Sequence, residues 1–232
     1  MKPTKKQLQE CVANHPDEGI IGTLIVRKIS IQITNILART SVTPNQITFI
    51  SFLMGILSAY CISLAEHNFL ILGGIIFFIS YIIDNVDGEI ARLKNLGSKK
   101  GAFLDSSLDR IKEGAVFFAI SYALFIQTQD YLSLIYGFIA FFSVTTTNTI
   151  IQASGKMDSK ALRKTHSSLP FIKFLSSLGI KQSFFTLGVD LQAFIISLGL
   201  VLNQLFYTLW FFILFQNLYW ILILLFVYGK KE

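Results

Sequence analysis

Six stretches of this chain, near residues 45–65, 68–91, 101–126, 131–154, 184–205 and 207–228, are predominantly hydrophobic. Each is long enough to cross roughly 30 Å of hydrocarbon at about 1.5 Å per residue. In lipid, a spanning segment must satisfy its own backbone hydrogen bonds, so stretches of this kind are helices. The expected fold is an all-α integral membrane protein with six transmembrane helices. With 53% hydrophobic and only 15% charged residues, and a mean hydropathy of +0.58, the chain does not have the composition of a soluble domain. Its 22 Phe suit lipid-facing and helix-packing surfaces.

The distribution of charge sets an orientation. If the N-terminus is inside, residues 66–67, 127–130 and the region around 206 form the outer turns, and none of the 20 Lys and Arg falls there. They lie instead ahead of the first span, in the 92–100 loop, in the first turns of the third span, in the 156–181 loop or at the C-terminus. That asymmetry is the positive-inside pattern. It predicts a multi-pass protein with both termini and the acidic hairpin described below in the cytoplasm. The net charge of +6 then reflects membrane orientation, and no nucleic-acid partner is expected.

Residues 1–19 are polar and lack an apolar core stretch, so they read as a cytoplasmic tail, not a secretory signal. Over 20–42, Ile21, Ile25, Ile29, Ile33 and Leu37 recur at near-helical spacing among Arg27, Lys28, Ser30, Gln32 and Asn35. This pattern predicts an interfacial amphipathic helix on the inner leaflet. Thr43-Pro44 reads as N-cap and first helical residue of the membrane domain, 43–232. Cys11 and Cys61 form no disulfide or metal pattern.

Between the second and third spans stand Asp84, Asp87, Asp105 and Asp109. Ionisable groups at membrane depth are costly and mark sites that bind or move something. On helices, Asp84 and Asp87 (i, i+3) share one face, and Asp105 and Asp109 (i, i+4) share another. Counting outward from the hairpin centre pairs Asp84 with Asp109 and Asp87 with Asp105 in depth. Gly88 and Gly101 remove side chains on these faces, which permits close approach of a helix or a ligand. Four carboxylates this close require cations, and an all-oxygen donor set favours Mg²⁺, Mn²⁺ or Ca²⁺ over zinc. Two divalent ions balance four carboxylates, a stoichiometry typical of sites that handle phosphate. Arg92 offers a planar donor for a phosphate oxygen. The alternative is a structural ion-pair network using Arg92, Arg110 and Lys112.

The pattern Asp-x-x-Asp-Gly-x-x-Ala-Arg, eight residues, Gly-x-x-x-Asp-x-x-x-Asp runs from Asp84 to Asp109. Its chance occurrence is on the order of 10⁻¹⁰ per window at ordinary residue frequencies. It resembles the signature of the CDP-alcohol phosphatidyltransferase family at every fixed position. The wider resemblance runs from about Arg27, through Thr43-Pro44-Asn45-Gln46-Ile47-Thr48, to the third span. It implies an enzyme that transfers a phosphorylated alcohol from a CDP-alcohol to an acceptor alcohol and releases CMP. By the same resemblance, Asp84, Asp87 and Asp105 are metal ligands, and Asp109 is both a shared ligand and the general base. Gly88, Ala91, Arg92 and Gly101 line the CDP pocket. The ions are Mg²⁺ or Mn²⁺, two per site, and a homodimer is compatible with the family. Asn45 and Thr48 either reach the donor phosphates or serve as a helix cap and a polar pair at the span end. Asn85, Glu89, Ser106 and Ser107 fall at variable positions of the pattern and receive no role.

For the acceptor, Lys156, Arg163, Lys164 and Lys173 form a basic loop that either holds a phosphate or anchors the protein to anionic lipid. Thr145, Thr146, Thr147, Asn148 and Gln152 either line an acceptor cavity or bond between helices. His166 reads as a surface residue. The Arg27–Thr48 stretch resembles the branch that handles inositol phosphates, including archaeal di-inositol phosphate synthases. Gly188-Val189-Asp190-Leu191-Gln192 keeps that branch's Gly and Asp without its arginines. The enzyme is expected to serve phospholipid or related polar-lipid synthesis, with a lateral opening between spans admitting a lipid donor or acceptor and the nucleotide entering from the cytoplasm. The rivals are an enzyme using a soluble donor such as CDP-inositol and a divalent-cation transporter.

Overall fold

The computed structural model describes residues 3–4, 7–8, 10–11, 21–157 and 189–228, and these are helical apart from short turns and a few tail residues. A π-helical turn, Gly22–Val26, leads into α1, Arg27–Leu37. The membrane domain follows as α2 (Pro44–Ser63), α3 (His67–Leu93), α4 (Lys99–Thr128), α5 (Leu132–Met157) and α6 (Val189–Val201). It closes with α7 (Leu205–Phe211), a π-helical turn Phe212–Gln216 and α8 (Asn217–Tyr228), which run on as one rod. Among the described residues, four helical stretches are long and apolar enough to cross a membrane: 44–63, 67–93, 132–150 and 205–222. The expected third span is α4, which is 30 residues long but opens on charged turns. The expected fifth span is α6, 13 residues in the described part.

Helix ends follow local chemistry. Thr43 caps α2, its backbone N–H donating to Gln46 Oε1 at 2.9 Å, with Pro44 in the first turn. Ser98 caps α4 by accepting from the Gly101 N–H at 3.0 Å. Asn95, at φ 55°, turns the chain between α3 and α4.

Two sets of contacts define the ends of the bundle. At one end, Gln127 Nε2 donates to Ala65 O and to Asn203 Oδ1, both at 3.1 Å, which gathers the three expected outer turns. At the other, Lys94 Nζ donates to Thr40 O at 2.8 Å and Val42 O at 2.9 Å, fixing the α3–α4 turn beside the α1–α2 linker. Between them, small residues let the helices close. Ser58 Oγ donates to Gly73 O at 2.8 Å, and a Cβ on Gly73 would stand 2.7 Å from Ile62. The apolar core joins α4 to the last rod through Phe117 and Phe212, ring centroids 5.2 Å apart and edge to face. Phe118, Phe138 and Phe142 point outward.

The amphipathic helix is present, but its polar side does not simply face water. Of the expected apolar stripe, Ile25 and Ile29 are exposed, as is Ile36 beside it, whereas Ile33 and Leu37 pack on Ile47, Val86 and Ile90. Arg27, Ser30 and Thr34 turn inward onto α3. Their partner is Glu89, fully buried, which accepts from Arg27 Nη1 at 2.6 Å, Ser30 Oγ at 2.6 Å and Thr34 Oγ1 at 2.5 Å. Glu89, given no role on sequence, is thus the anchor of α1. A second tie comes from the Gly22 N–H, which donates to Asp190 Oδ2 of α6 at 2.9 Å.

Candidate metal and nucleotide site

The C-terminal half of α3 and the first half of α4 bring the signature residues together, with α2 behind them. Asp84, Asp105 and Asp109 each offer a carboxylate oxygen, and the three oxygens lie within 4.8 Å of one another. Asp87 is held apart from this triad by the Thr48 hydroxyl, which donates to its Oδ2, while its carboxyl still faces Asp105. The depth match read from the sequence therefore holds for both pairs. Thr48 orients Asp87 through this hydrogen bond.

The donor set fits a hard divalent cation. It is all carboxylate oxygen, it converges from two helices, and Asp105 Oδ1 is buried with no hydrogen-bond partner. A buried acceptor without a partner is costly, and a cation at this point would satisfy it.

Two residues to which the signature assigns no role, one of them named only in the ion-pair alternative, are built into the site. Ser51 Oγ of α2 donates to Asp84 Oδ1 at 2.9 Å. Lys112 Nζ donates to Asp84 Oδ1 at 3.1 Å and pairs with Asp109 Oδ1 at 2.7 Å. The ion-pair alternative is thus realised in part. Lys112 joins the aspartates, Arg110 pairs with Glu113 at 2.6 Å, and Arg92 Nε bonds the Cys11 carbonyl. The available signal was Lys112 three residues after Asp109, on the same helix face.

Beside the aspartates, Arg92 lies over Gly88, where a Cβ would stand 3.3 Å from Nη1. Its Nε donates to the Cys11 carbonyl at 2.8 Å, so the polar tail reaches this edge of the site. Burial pushes the Cys11 thiol above its ordinary pKa. A Cβ on Gly101 would stand 3.1 Å from both Asn45 Oδ1 and Ser98 Oγ, which brings Asn45 and Gly101 together as a pair. Ala91 is half-buried on the same turn of α3. Alongside opens a groove of about 580 Å³ lined by Val42, Asn45, Gln46, Phe49, Ile50 and Leu104. Toward the bundle interior, a cavity of about 30 Å³ touches Asp84, Asp109, Lys112, Tyr81 and Gln192.

The expected acceptor residues divide. Thr147 Oγ1 donates to Ser143 O at 2.8 Å and approaches Gln216 O at 3.2 Å, so it bonds between helices. Asn148 Nδ2 and Thr145 Oγ1 are buried without partners. The side chains of Lys156 and Gln152, and residues Arg163, Lys164, His166, Lys173 and Gly188, lie outside the described residues.

The sequence profile of the CDP-alcohol phosphatidyltransferases matches residues 41–225, nearly the whole membrane domain. The chain belongs to the CDP-alcohol phosphatidyltransferase family. A bifunctional IPC transferase and DIPP synthase of Thermococcus kodakarensis is 26% identical over 210 residues, 88% of this chain and 46% of that protein. The archaetidylinositol phosphate synthase of Pyrococcus horikoshii is 35% identical over 108 residues, 46% of this chain and 56% of the relative. The chain thus spans about half the length of each of these curated relatives. Among solved structures, the phosphatidylinositol phosphate synthase of Mycobacterium tuberculosis with CDP-DAG bound aligns with a TM-score of 0.48 and 21% identity. That alignment covers 79% of this chain and 94% of the other.

Proposed function

We propose that this chain is a divalent-metal-dependent transferase that moves a phosphorylated alcohol from a lipid CDP-alcohol to an acceptor alcohol and releases CMP. The observation that carries this reading is the convergence of Asp84, Asp105 and Asp109, with a partnerless buried oxygen on Asp105, inside the family's signature. Mg²⁺ or Mn²⁺ held by these residues, with Asp87 beside them, would neutralise charge on the pyrophosphate. The four carboxylates offer places for two cations.

The chain's own residues account for the rest. The acceptor hydroxyl gives its proton to Asp109, and its oxygen bonds to the phosphorus that carries the donor alcohol. The bond from that phosphorus to the CMP oxygen breaks, and CMP leaves with the electron pair. Positioning and electrostatics carry most of such a transfer. Gly88, Ala91 and Gly101 make room for the nucleotide, Arg92 and Asn45 border it, and Thr48 aims Asp87. The small cavity beside Asp109 and Gln192, about 30 Å³, has room for little more than water next to the base.

The groove along Phe49, Ile50 and Leu104 has apolar walls in the expected plane of the inner leaflet, which favours a lipid donor over a soluble one. Relatives named for inositol phosphate synthesis point to an inositol phosphate acceptor. The residues at 188–192 supply no arginine for it, which leaves that task to the 156–181 loop. The site is expected to face the cytoplasm.

CMP release from purified protein in lipid nanodiscs decides among the readings. Lipid CDP-alcohol plus inositol phosphate is expected to yield CMP and a lipid-linked inositol phosphate. Turnover with CDP-inositol alone as donor would establish the soluble-donor rival. Movement of Mg²⁺ without CMP release from any donor would overturn the transferase reading.

A further inference from the structure

Lys112 is set into the site more deeply than a surface ion pair would be. Its side chain is buried at 6% exposure in the middle of the helix bundle. The ammonium has three hydrogens to place and finds three acceptors: Asp109 Oδ1 at 2.7 Å, Asp84 Oδ1 at 3.1 Å and Ser51 Oγ at 3.3 Å. Its stem passes across Gly55 of α2, where a Cβ would collide with Lys112 Cγ and Cδ. The missing side chain at Gly55 is therefore the channel by which the lysine reaches the carboxylates. Two elements, α2 and α4, are shaped around one cation.

Charge sets the consequence. Three of the four signature carboxylates converge within 4.8 Å, and the ammonium already occupies two of them, Asp84 and Asp109. The unclaimed position is at Asp105, whose Oδ1 is buried without a partner. A second divalent ion would have to share Asp84 and Asp109 with an ammonium already in contact with both, like charge against like charge at short range. We propose that Lys112 fills one of the two cation places of this site, so that the substrate-free protein binds one divalent ion, at Asp105 and the remaining faces of Asp84 and Asp109. This deepens the transferase reading and rests on it for the role of the ion. Lys112 is a positioning residue: it fixes Oδ1 of Asp109 and lines the small cavity beside it.

The test counts ions. Full-length protein in nanodiscs is titrated with Mn²⁺ and bound metal is read by electron paramagnetic resonance. Wild-type protein is expected to bind one Mn²⁺ per chain. Lys112→Met, of similar reach and no charge, is expected to bind two, close enough for the second to broaden the spectrum by dipolar coupling. Gly55→Val, which blocks the stem while leaving the lysine in the chain, is expected to do the same and serves if the first variant does not fold. Two ions, or none, on wild-type protein overturn the proposal, as does an unchanged count in a folded variant. The count uses no substrate, so CMP release accompanied by two bound ions would sink this inference and leave the transferase reading standing. One bound ion without CMP release would do the reverse.

Discussion

Replacing Asp109 by Asn keeps the shape of the site and removes its proton acceptor. The amide retains an oxygen for Lys112 Nζ, now 2.7 Å from the carboxylate, while Asp84 and Asp105 still converge. General-base assistance contributes about 10²–10⁴-fold. Asp109→Asn is therefore expected to lower CMP release by at least about 100-fold, with lipid CDP-alcohol binding, followed by calorimetry in nanodiscs, largely retained. Undiminished turnover would remove Asp109 from the role of base. The residue scale also shows where sequence reading stops. The four aspartates, Gly88, Arg92 and Gly101 are legible because their spacing along two helices encodes their convergence. Ser51 and Gly55 are not, because they act from α2 and carry no signal of their own: a serine in a span reads as packing, and a glycine as a close crossing.

At the scale of the element, α1 is held by a pair that lies 62 positions apart in sequence, Arg27 and Glu89. Glu89 has no exposed surface, and Ser30 and Thr34 complete its shell. Breaking one side of a buried pair leaves an uncompensated charge and costs about 3–5 kcal/mol, whereas replacing both sides with apolar groups is often near neutral. Arg27→Met alone is expected to lower the thermal midpoint of the purified protein. Arg27→Met with Glu89→Leu is expected to recover much of that loss, as read by thermal unfolding in detergent. Equal damage from the single and double variants would show that α1 is held by its Ile33 and Leu37 contacts instead. The helix itself, and its apolar stripe, could be read from local periodicity. The destination of its polar side could not, since the partner sits in α3 at a position the signature leaves free. Helix ends were easier to read: Thr43-Pro44 and the turn near Asn95 rest on capping and turn chemistry that acts within four residues.

For the whole molecule, span lengths and charge asymmetry predict which end of the bundle faces which compartment. The α2–α3, α4–α5 and α6–α7 turns gather at one end through Gln127, Ala65 and Asn203, and that end holds Glu66 and Asp130 but no Lys or Arg. The opposite end carries Lys94, Lys99 and Lys100, with Lys94 stitched to the α1–α2 linker. The signature aspartates lie on this basic side, where a soluble nucleotide is available only if the side is cytoplasmic. Tyr131, in the turn at the first end, is 75% exposed, and Leu96, in the turn at the second, is 50% exposed, so each can carry a reporter without disturbing the core. With Cys11 and Cys61 replaced by alanine, Tyr131→Cys is expected to react with a membrane-impermeant maleimide on intact cells. Leu96→Cys is expected to react only after the membrane is opened. The reverse pattern would put the nucleotide site on the outer face, away from any CDP-alcohol pool. Labelling of both positions on intact cells would break the assignment of the two ends to opposite sides, and with it the six-span path.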